Sequence, residues 1–329
     1  MATAEQTAGD QLPSPPATST SRWQRLGAQL GLFRRSRIAL VGLCLVGFWV
    51  VVALFADNCL VTPACYAGIV RGDDITTWAT SDEYRSWLSR YSPVEQFRGR
   101  TREGPSWDHW LGTDTRGRDI WARLAHGSRL ILTLAPISVM VALLVGGTLG
   151  LLAGYYGGMV DEVTMRILDA IIAFPQILLY LVIIASFGAS ATNVLIAITI
   201  AGAPGIARLV RGLTLDIKTR DYVAAAQTQG ERSWYIMVFE ILPNARGPII
   251  IDSMLRVGYA VFSIGTLGFL GLGLPPPSPD WGSIVQAGRS SIQAGRPWEA
   301  LWGSLAIAMV VVGLNLIADG MSEETRRYR

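Results

Sequence analysis

The sequence carries little charge for its length. Of its 329 residues, 16% are charged and 50% are hydrophobic, whereas an average soluble protein has about 25% charged residues. A soluble chain of this length would form about two domains, but the shortage of charge indicates one unit embedded in a membrane. The formal net charge is +3. The arginines are scattered among apolar segments, so no basic face indicates nucleic-acid binding.

Lysine is almost absent, since Lys218 is the only lysine among 28 basic residues. A phosphate-binding loop of the form GxxxxGK[ST] needs a glycine directly before its lysine. Lys218 follows Ile217 instead. The chain therefore lacks the usual device for ATP hydrolysis.

Cysteine and histidine are also scarce, at three and two residues. Cys59 and Cys65 form a candidate disulfide if their segment lies outside the cytoplasm, and they are two unpaired thiols otherwise. Together with His109 and His126 they are numerous enough for a zinc site but widely spaced, so we predict no metal ligand. No HExxH or GxSxG motif occurs, which argues against a membrane-embedded enzyme.

Long uncharged runs predict the membrane crossings. The run from Ala170 to Ala207 has 38 residues and as one helix would be roughly 57 Å long, nearly twice the hydrocarbon core of a bilayer. It must fold back, and the small and polar residues from Gly188 to Asn193 supply the turn. We predict an all-α membrane protein with six spans, near residues 38–56, 130–153, 170–187, 194–213, 249–273 and 300–318.

Arginine placement predicts the orientation, because cytoplasmic flanks are rich in basic residues. Arginines precede the first span and follow the last one, which places both termini in the cytoplasm: Arg22, Arg25, Arg34, Arg35, Arg37, Arg326, Arg327 and Arg329. The segment 57–129 also holds ten arginines, but it exceeds the length at which charge decides topology, and ten acidic residues balance them. We keep it outside.

The remaining segments follow from these spans. Residues 1–20 have the composition of a disordered tail, and residues 21–37 have the pattern of an amphipathic helix in the inner headgroup region. Residues 57–129 form the extracytoplasmic loop. A five-helix core covers 130–318, and residues 319–329 form a short cytoplasmic tail.

The inner loop 214–247 has the strongest local pattern. A helix starts near Thr219 and stops at Gly230, whose missing Cβ suits a helix C-terminus. A second helical stretch follows, and Pro243 is expected to end it. Small side chains between Ala224 and Ala226 let a partner surface approach the backbone.

Three motifs carry a resemblance to a known family. The first is Asp221-Tyr222-Val223-x-Ala225-Ala226-x3-Gly230, followed by Ile241-Leu242-Pro243-Asn244. The others are His109-Trp110-Leu111-Gly112-Thr113-Asp114-x2-Gly117-Arg118-Asp119 and Phe269-Leu270-Gly271-Leu272-Gly273-x-Pro275-Pro276-Pro277-x-Pro279-x-Trp281-Gly282. In this order they resemble the second (C-type) permease subunit of dipeptide, oligopeptide and nickel ABC importers. Two features depart from the family: Ala224 replaces the usual glutamate, and the outer loop is longer.

The resemblance implies the type I ABC importer permease fold and a function. This chain would pair with a second, homologous permease subunit, two ABC ATPase subunits and an extracytoplasmic solute-binding protein in a bacterial inner membrane. It would bind no cofactor itself, because ATP and Mg would lie in the ATPase subunits. The residues implied in ATPase coupling are Asp221, Tyr222, Ala224, Ala225, Ala226, Gly230, Leu242 and Pro243.

The spans themselves carry further patterns. Gly146, Gly150 and Gly154 share one face of the second span, a spacing that favours close helix packing. Three prolines lie inside the predicted spans, where they kink helices: Pro136, Pro175 and Pro204. Asp252 and Arg256 lie one turn apart and can pair near the cytoplasmic end of the fifth span.

Two alternatives concern the transport reaction. A secondary transporter would need charges near the span midpoints or inverted repeats with broken helices, and no carboxylate or histidine falls at a midpoint. The second alternative keeps the machinery and changes the solute to nickel, an opine, glutathione or another small molecule. A peptide is the primary prediction, since an uncharged lining suits a zwitterion.

Overall fold

A computed structural model of the protein describes residues 36–56 and 88–327, with side chains described as far as residue 323. All regular elements in these ranges are helical. They are α1 (Arg37–Phe55), α2 (Ile120–Tyr156), α3 (Gly158–Ile172), α4 (Gln176–Phe187), α5 (Ala191–Ile217), α6 (Asp221–Thr228), α7 (Ser233–Tyr235), a π-helix (Ile236–Ile241), α8 (Leu242–Phe269), α9 (Trp281–Gln293) and α10 (Trp298–Arg327).

Five helical stretches are long and apolar enough to cross a membrane: α1, α2, α5, the continuous Ser233–Phe269 stretch and α10. The pair α3 and α4 meets the same criteria only when the two helices are taken together. The predicted all-α membrane fold is confirmed, with five candidate spans in the described residues, or six if α3 and α4 together form one span.

The predicted segments 1–20 and 57–87 lie outside the described residues, and so do Cys59 and Cys65. Of the predicted interfacial helix 21–37, only Ser36 and Arg37 are described. Ser36 caps α1, because its Oγ accepts the N–H of Ala39 at 3.3 Å.

Several predicted boundaries differ from the observed ones. The helix α2 begins at Ile120, ten residues before the predicted span, because Asp119 caps it and its charged first turns are buried. The helix α10 continues through Arg327, well into the segment expected as a tail.

The segment predicted as the third span is broken into two helices rather than merely kinked. The axes of α3 and α4 differ by 84°, and Pro175 lies at the N-cap of α4 rather than inside a helix as predicted. Pro136 and Pro204 do lie inside α2 and α5, and α8 contains Pro248 as well. Two ion pairs join α3 to α5: Arg211–Asp161 and Arg208–Asp169.

The predicted reversal near Gly188 is present. The helix α4 ends at Phe187, and Gly188 adopts a φ of 89°. Ser190 caps α5 by accepting the N–H of Asn193 at 3.1 Å. The Asn193 amide in turn donates to the carbonyl oxygens of Phe187 and Gly188.

The helices α2 and α5 pack along most of their lengths. A Cβ on Gly146 or Gly150 would overlap the carbonyl oxygens of Ala203 and Ala207 on α5. A Cβ on Gly154 would lie 2.7 Å from the Cβ of Thr214. All three glycines therefore stand where α2 and α5 pack too closely to leave room for a side chain.

Candidate functional site

The helix α6 presents two different faces. Val223 and Ala226 are buried, with 0% and 9% of their surface exposed. They join a hydrophobic cluster that includes Ile217 of α5 and Ile236 and Ile241 of the π-helix. One side of α6 is therefore fixed to the membrane helices.

The opposite face of α6 is open. Asp221, Tyr222, Ala224 and Ala225 are exposed, with small side chains in the middle of the face. Within the predicted coupling set, Ala226 differs from its neighbours because it points inward.

The end of α6 is a Schellman motif built around Gly230. Gly230 has a φ of +80°, and its N–H donates to the carbonyl of Gln227 while the N–H of Glu231 donates to that of Ala226. This is the hydrogen-bond pattern of a helix that ends on a left-handed glycine. The predicted helix end at Gly230 is confirmed.

Pro243 does not end the second helical stretch, contrary to the prediction. The chain forms a π-helix from Ile236 to Ile241 and continues directly into α8. The wider turn of the π-helix accommodates Pro243, which has no N–H to donate. The N–H of Leu242 donates to the carbonyl of Met237, five residues earlier. The side-chain amide of Asn244 donates to the carbonyl of Glu240 at 2.6 Å. As a result, α6 rests on the same continuous helix that crosses the membrane, and both Leu242 and Pro243 are exposed.

The single lysine has a role that the sequence did not reveal. Lys218 follows α5, and its Nζ donates to the carbonyl oxygens of Gly154 and Tyr155, both at 3.1 Å. These carbonyls belong to the last turn of α2, where a positive charge also complements the helix dipole. Lys218 thus ties the root of α6 to the end of α2.

The motif before α2 forms a compact loop held by Asp114. The Asp114 carboxylate accepts from Arg118 Nε at 2.6 Å and Arg123 Nη1 at 2.9 Å. It also accepts the backbone N–H groups of Arg116 and Arg118. Asp114, Arg118 and Arg123 are all buried, so they stabilise the loop and do not face a reaction cavity.

The same motif starts α2. Asp119 accepts the N–H of Ala122 at 2.8 Å and contacts Nδ1 of His109 at 2.9 Å. Burial raises the pKa of Asp119, while its contacts with Ala122 and His109 lower it. The His109 ring packs against both Tyr91 and Phe97, with centroids 5.0 Å and 4.9 Å away, and those two rings also contact each other.

The motif after α8 packs against the start of α2. Trp281 is fully buried, its Nε1 donates to the Leu124 carbonyl at 2.9 Å, and its ring lies 4.7 Å from that of Trp49. Asp280 caps α9 by accepting the N–H groups of Gly282 and Ser283. Burial raises the pKa of Asp280 to about 6.

Glu299 closes this assembly from α10. Its Oε2 accepts the N–H of Thr115 at 3.3 Å and the hydroxyl of Ser291 at 3.4 Å. The motif before α2 (109–119) and the motif after α8 (269–282), which we call the two outer motifs, therefore form one structure at one end of the bundle. The helix α6 lies at the other end.

Two further predictions concern the Asp252–Arg256 pair and the metal ligands. Arg256 Nε donates to Asp252 at 2.5 Å, so the predicted pair forms. Asp252 precedes Phe269 by 17 residues, or about 25 Å of helix, which is close to the inner edge of the hydrocarbon. Over the described residues, no three His, Cys, Asp or Glu side chains are arranged to hold a metal ion.

The sequence of the chain is similar to those of known membrane transport proteins. The model of the family described as "Binding-protein-dependent transport system inner membrane component" matches residues 146–323. The chain is 36% identical over 311 residues to the dipeptide transport system permease protein DppC of Alkalihalophilus pseudofirmus, covering 94% of this chain and 91% of that protein.

Two further relatives carry related names. The glutathione transport system permease protein GsiD of Pectobacterium atrosepticum is 42% identical over 224 residues, covering 68% of this chain and 74% of the relative. The di/tripeptide transport system permease protein DppC of Pseudomonas aeruginosa is 36% identical over 246 residues, covering 73% and 81%.

Proposed function

The chain belongs to the family of binding-protein-dependent transport system inner membrane components, and we propose that it is the second permease subunit of an ABC importer for di- and oligopeptides. It hydrolyses no ATP itself and moves its solute by alternating access. It lies in the inner membrane of a bacterium with both termini in the cytoplasm.

The observation that carries this proposal is the two-faced helix α6. Its inner face is fixed through Val223 and Ala226, and its outer face offers small exposed side chains. A helix of this kind can sit in a cleft of another protein and transmit a displacement to the spans behind it. Lys218 and the π-helix supply two direct connections, to α2 and to α8.

The partners follow from the family. Two ATPase subunits that bind ATP and Mg would dock on α6 and on its counterpart in a second, homologous permease. Closure of the ATPase pair would move both α6 helices together, and the spans would rock between inward-open and outward-open states. An extracytoplasmic binding protein would deliver the solute to the end formed by the two outer motifs.

The relatives' names support a peptide as the solute. These relatives are named as dipeptide, di/tripeptide and glutathione permeases, and all three kinds of solute contain peptide-like amides and both charge signs. Nickel and other small solutes remain alternatives within the same machinery, because the binding protein makes most of the selection.

Uptake of radiolabelled di- and tripeptides tests the proposal. Cells that express this chain together with its partner subunits should accumulate the label, and deletion of this chain alone should abolish accumulation. Restoring the chain on a plasmid should rescue it. Uptake that continues after ATP depletion, or that this chain supports without its partners, would contradict the proposal.

A further inference from the structure

Three aromatic side chains form an exposed cluster shortly after α6. Trp234 and Phe239 are each 53% exposed, and Tyr235 is half-buried. The ring of Phe239 lies 6.0 Å from that of Trp234 and 4.9 Å from that of Tyr235, measured between centroids. The rings of Trp234 and Tyr235 lie 6.1 Å apart. All three pairs are within the range at which aromatic rings attract each other, and we call the three residues the aromatic cluster.

The π-helix gives the aromatic cluster its shape. On an α-helix, residues five apart point about 140° away from each other, so Trp234 and Phe239 would not share a face. A π-helix brings residues five apart into neighbouring turns, and the chain widens into one from Ile236 to Ile241. Ile236 and Ile241 are themselves buried. The rings are therefore presented outward on a support that is fixed to the rest of the protein.

The aromatic cluster lies beyond the membrane on the cytoplasmic side. The hydrocarbon core of about 30 Å corresponds to about 20 residues of α-helix, which from the end of α8 at Phe269 reaches back to about Ile249. Phe239 is about ten residues further, or about 15 Å, whereas the headgroup layer is only about 5–8 Å thick. An exposed apolar patch marks a contact with a membrane or with a protein. The depth of this patch favours a protein.

The aromatic cluster is continuous with the open face of α6. Residues 227–232, which join α6 to the cluster, are all exposed, so nothing in the described part of the chain covers the surface between them. The buried side of α6 packs in the same hydrophobic group as Ile236 and Ile241 of the π-helix. A protein that docks on α6 can therefore reach the three rings as part of one surface.

We propose that the aromatic cluster is a second contact with the ATPase subunit and fits an apolar pocket beside the cleft that takes α6. The inference rests on the proposed function, since it adds an anchor to the docking of the ATPase. The open face of α6 offers mainly small side chains, whereas tryptophan and tyrosine are enriched among the residues that contribute most to binding. The aromatic cluster would supply the binding energy that the alanines of α6 cannot.

The position of the cluster also has a mechanical consequence. The helix α6 follows α5, while the aromatic cluster lies on the helical stretch that continues into α8. An ATPase subunit that holds both surfaces would move α5 and α8 together. A subunit that held α6 alone would act on α8 only through the packing between them.

Retention of the ATPase subunits on the purified permease complex tests the proposal. The unmodified chain is compared with Trp234→Ala and with Trp107→Ala. Trp107 is 93% exposed and lies in the loop before α2, at the opposite end of the bundle, so it is the matched control. Trp234→Ala should weaken ATPase binding at least about tenfold, and Trp107→Ala should leave it unchanged.

Photochemical crosslinking identifies the neighbour of the cluster without weakening the complex. Trp234 is replaced by the photoreactive residue p-benzoylphenylalanine, and Trp107 is replaced in the same way as the control. After illumination of membranes that contain the assembled importer, the mass of each adduct shows what lies next to the side chain. We expect an adduct with the ATPase subunit from position 234 and none from position 107.

The outcomes separate this inference from the proposed function. An adduct of position 234 with lipid or with the second permease, or undiminished ATPase retention on Trp234→Ala, would overturn the inference. The proposed function would still stand in that case, because the unmodified complex retains its ATPase through α6. If the unmodified complex retains no ATPase, the proposed function fails and the inference fails with it.

Discussion

Gly147 and Gly150 lie on the same helix, α2, but only Gly150 touches another backbone. A Cβ on Gly150 would overlap the Ala207 carbonyl, whereas a Cβ on Gly147 would meet nothing closer than Leu143 Cδ1 at 3.9 Å. The substitution Gly150→Ala should therefore lower the free energy of unfolding by about 1–3 kcal/mol through overpacking.

Gly147→Ala is the matched control, and alanine should be neutral or favourable there because it forms helix better than glycine by up to about 1 kcal/mol. The measurement is the thermal unfolding midpoint of each purified variant in detergent. Equal midpoints for the two variants would show that α2 and α5 do not pack at Gly150 as described.

Asp280 makes stability depend on pH. Its pKa is raised from 3.8 to about 6 by burial, so the folded protein binds this proton more tightly than the unfolded chain does. Stability from this group is present below pH 3.8 and is lost as the pH rises through about 6, by about 3 kcal/mol in all. Asp280→Asn keeps an N-cap oxygen but does not titrate.

We therefore expect the difference between the two unfolding midpoints, Asp280→Asn minus the unmodified protein, to be larger at pH 7.5 than at pH 5. Other titrating groups occur in both proteins and cancel in the difference. A difference that stays constant between the two pH values would contradict the assignment.

At the scale of the element, α6 can be tested without disturbing its packing. Ala225 is on the open face, so Ala225→Trp adds bulk where a partner would approach and leaves Val223 and Ala226 in place. Retention of the ATPase subunits on the purified permease should fall at least about tenfold, a loss of about 1.4 kcal/mol or more. Gly230 is a poorer site for this test, because any side chain there is strained at a φ of +80°.

Ala294→Trp is the matched control. Ala294 is an exposed alanine after α9, at the opposite end of the bundle. It should leave ATPase retention unchanged, and both variants should insert into the membrane at normal levels. Undiminished ATPase on the Ala225→Trp permease would count against α6 as the docking element.

Helix ends that depend on local chemistry could be predicted, and those that depend on packing could not. Gly230 and the turn after Phe187 follow from glycine, serine and asparagine in the local sequence. The start of α2 was missed because charged residues such as Arg123 end the uncharged run on which the prediction was based. Arg123 can lie in a buried helical turn because its charge pairs with Asp114. The continuation through Pro243 depends on a π-helix, which has no sequence pattern that would reveal it.

At the scale of the whole molecule, the order of the motifs was readable but their proximity was not. The motif around Asp114 and the motif around Trp281 meet through Leu124, Thr115 and Glu299, across more than 150 residues of sequence. No periodicity or spacing encodes such a contact.

The broken third span determines on which side the chain ends. If α3 and α4 together cross the membrane, the turn after α4 lies on the same side as the loop before α2, and the six crossings place both termini in the cytoplasm. If they do not cross, that turn lies on the opposite side. We expect a crossing, because Gly146, Gly150 and Gly154 of α2 meet Ala203, Ala207 and Thr214 of α5 in the same order. The two helices therefore run parallel, and the chain must cross the membrane between them.

Single cysteines, introduced after Cys44, Cys59 and Cys65 are replaced by serine, decide between these topologies. Arg98→Cys in the outer loop and Ala189→Cys in the turn after α4 should both react with an impermeant maleimide applied to spheroplasts. Gln229→Cys, at the end of α6, should react only after the membrane is permeabilised, and all three positions are exposed. Labelling of Arg98→Cys without Ala189→Cys would show that α3 and α4 re-enter on one side. It would then move the C-terminus to the outside, because an odd number of crossings separates it from the N-terminus.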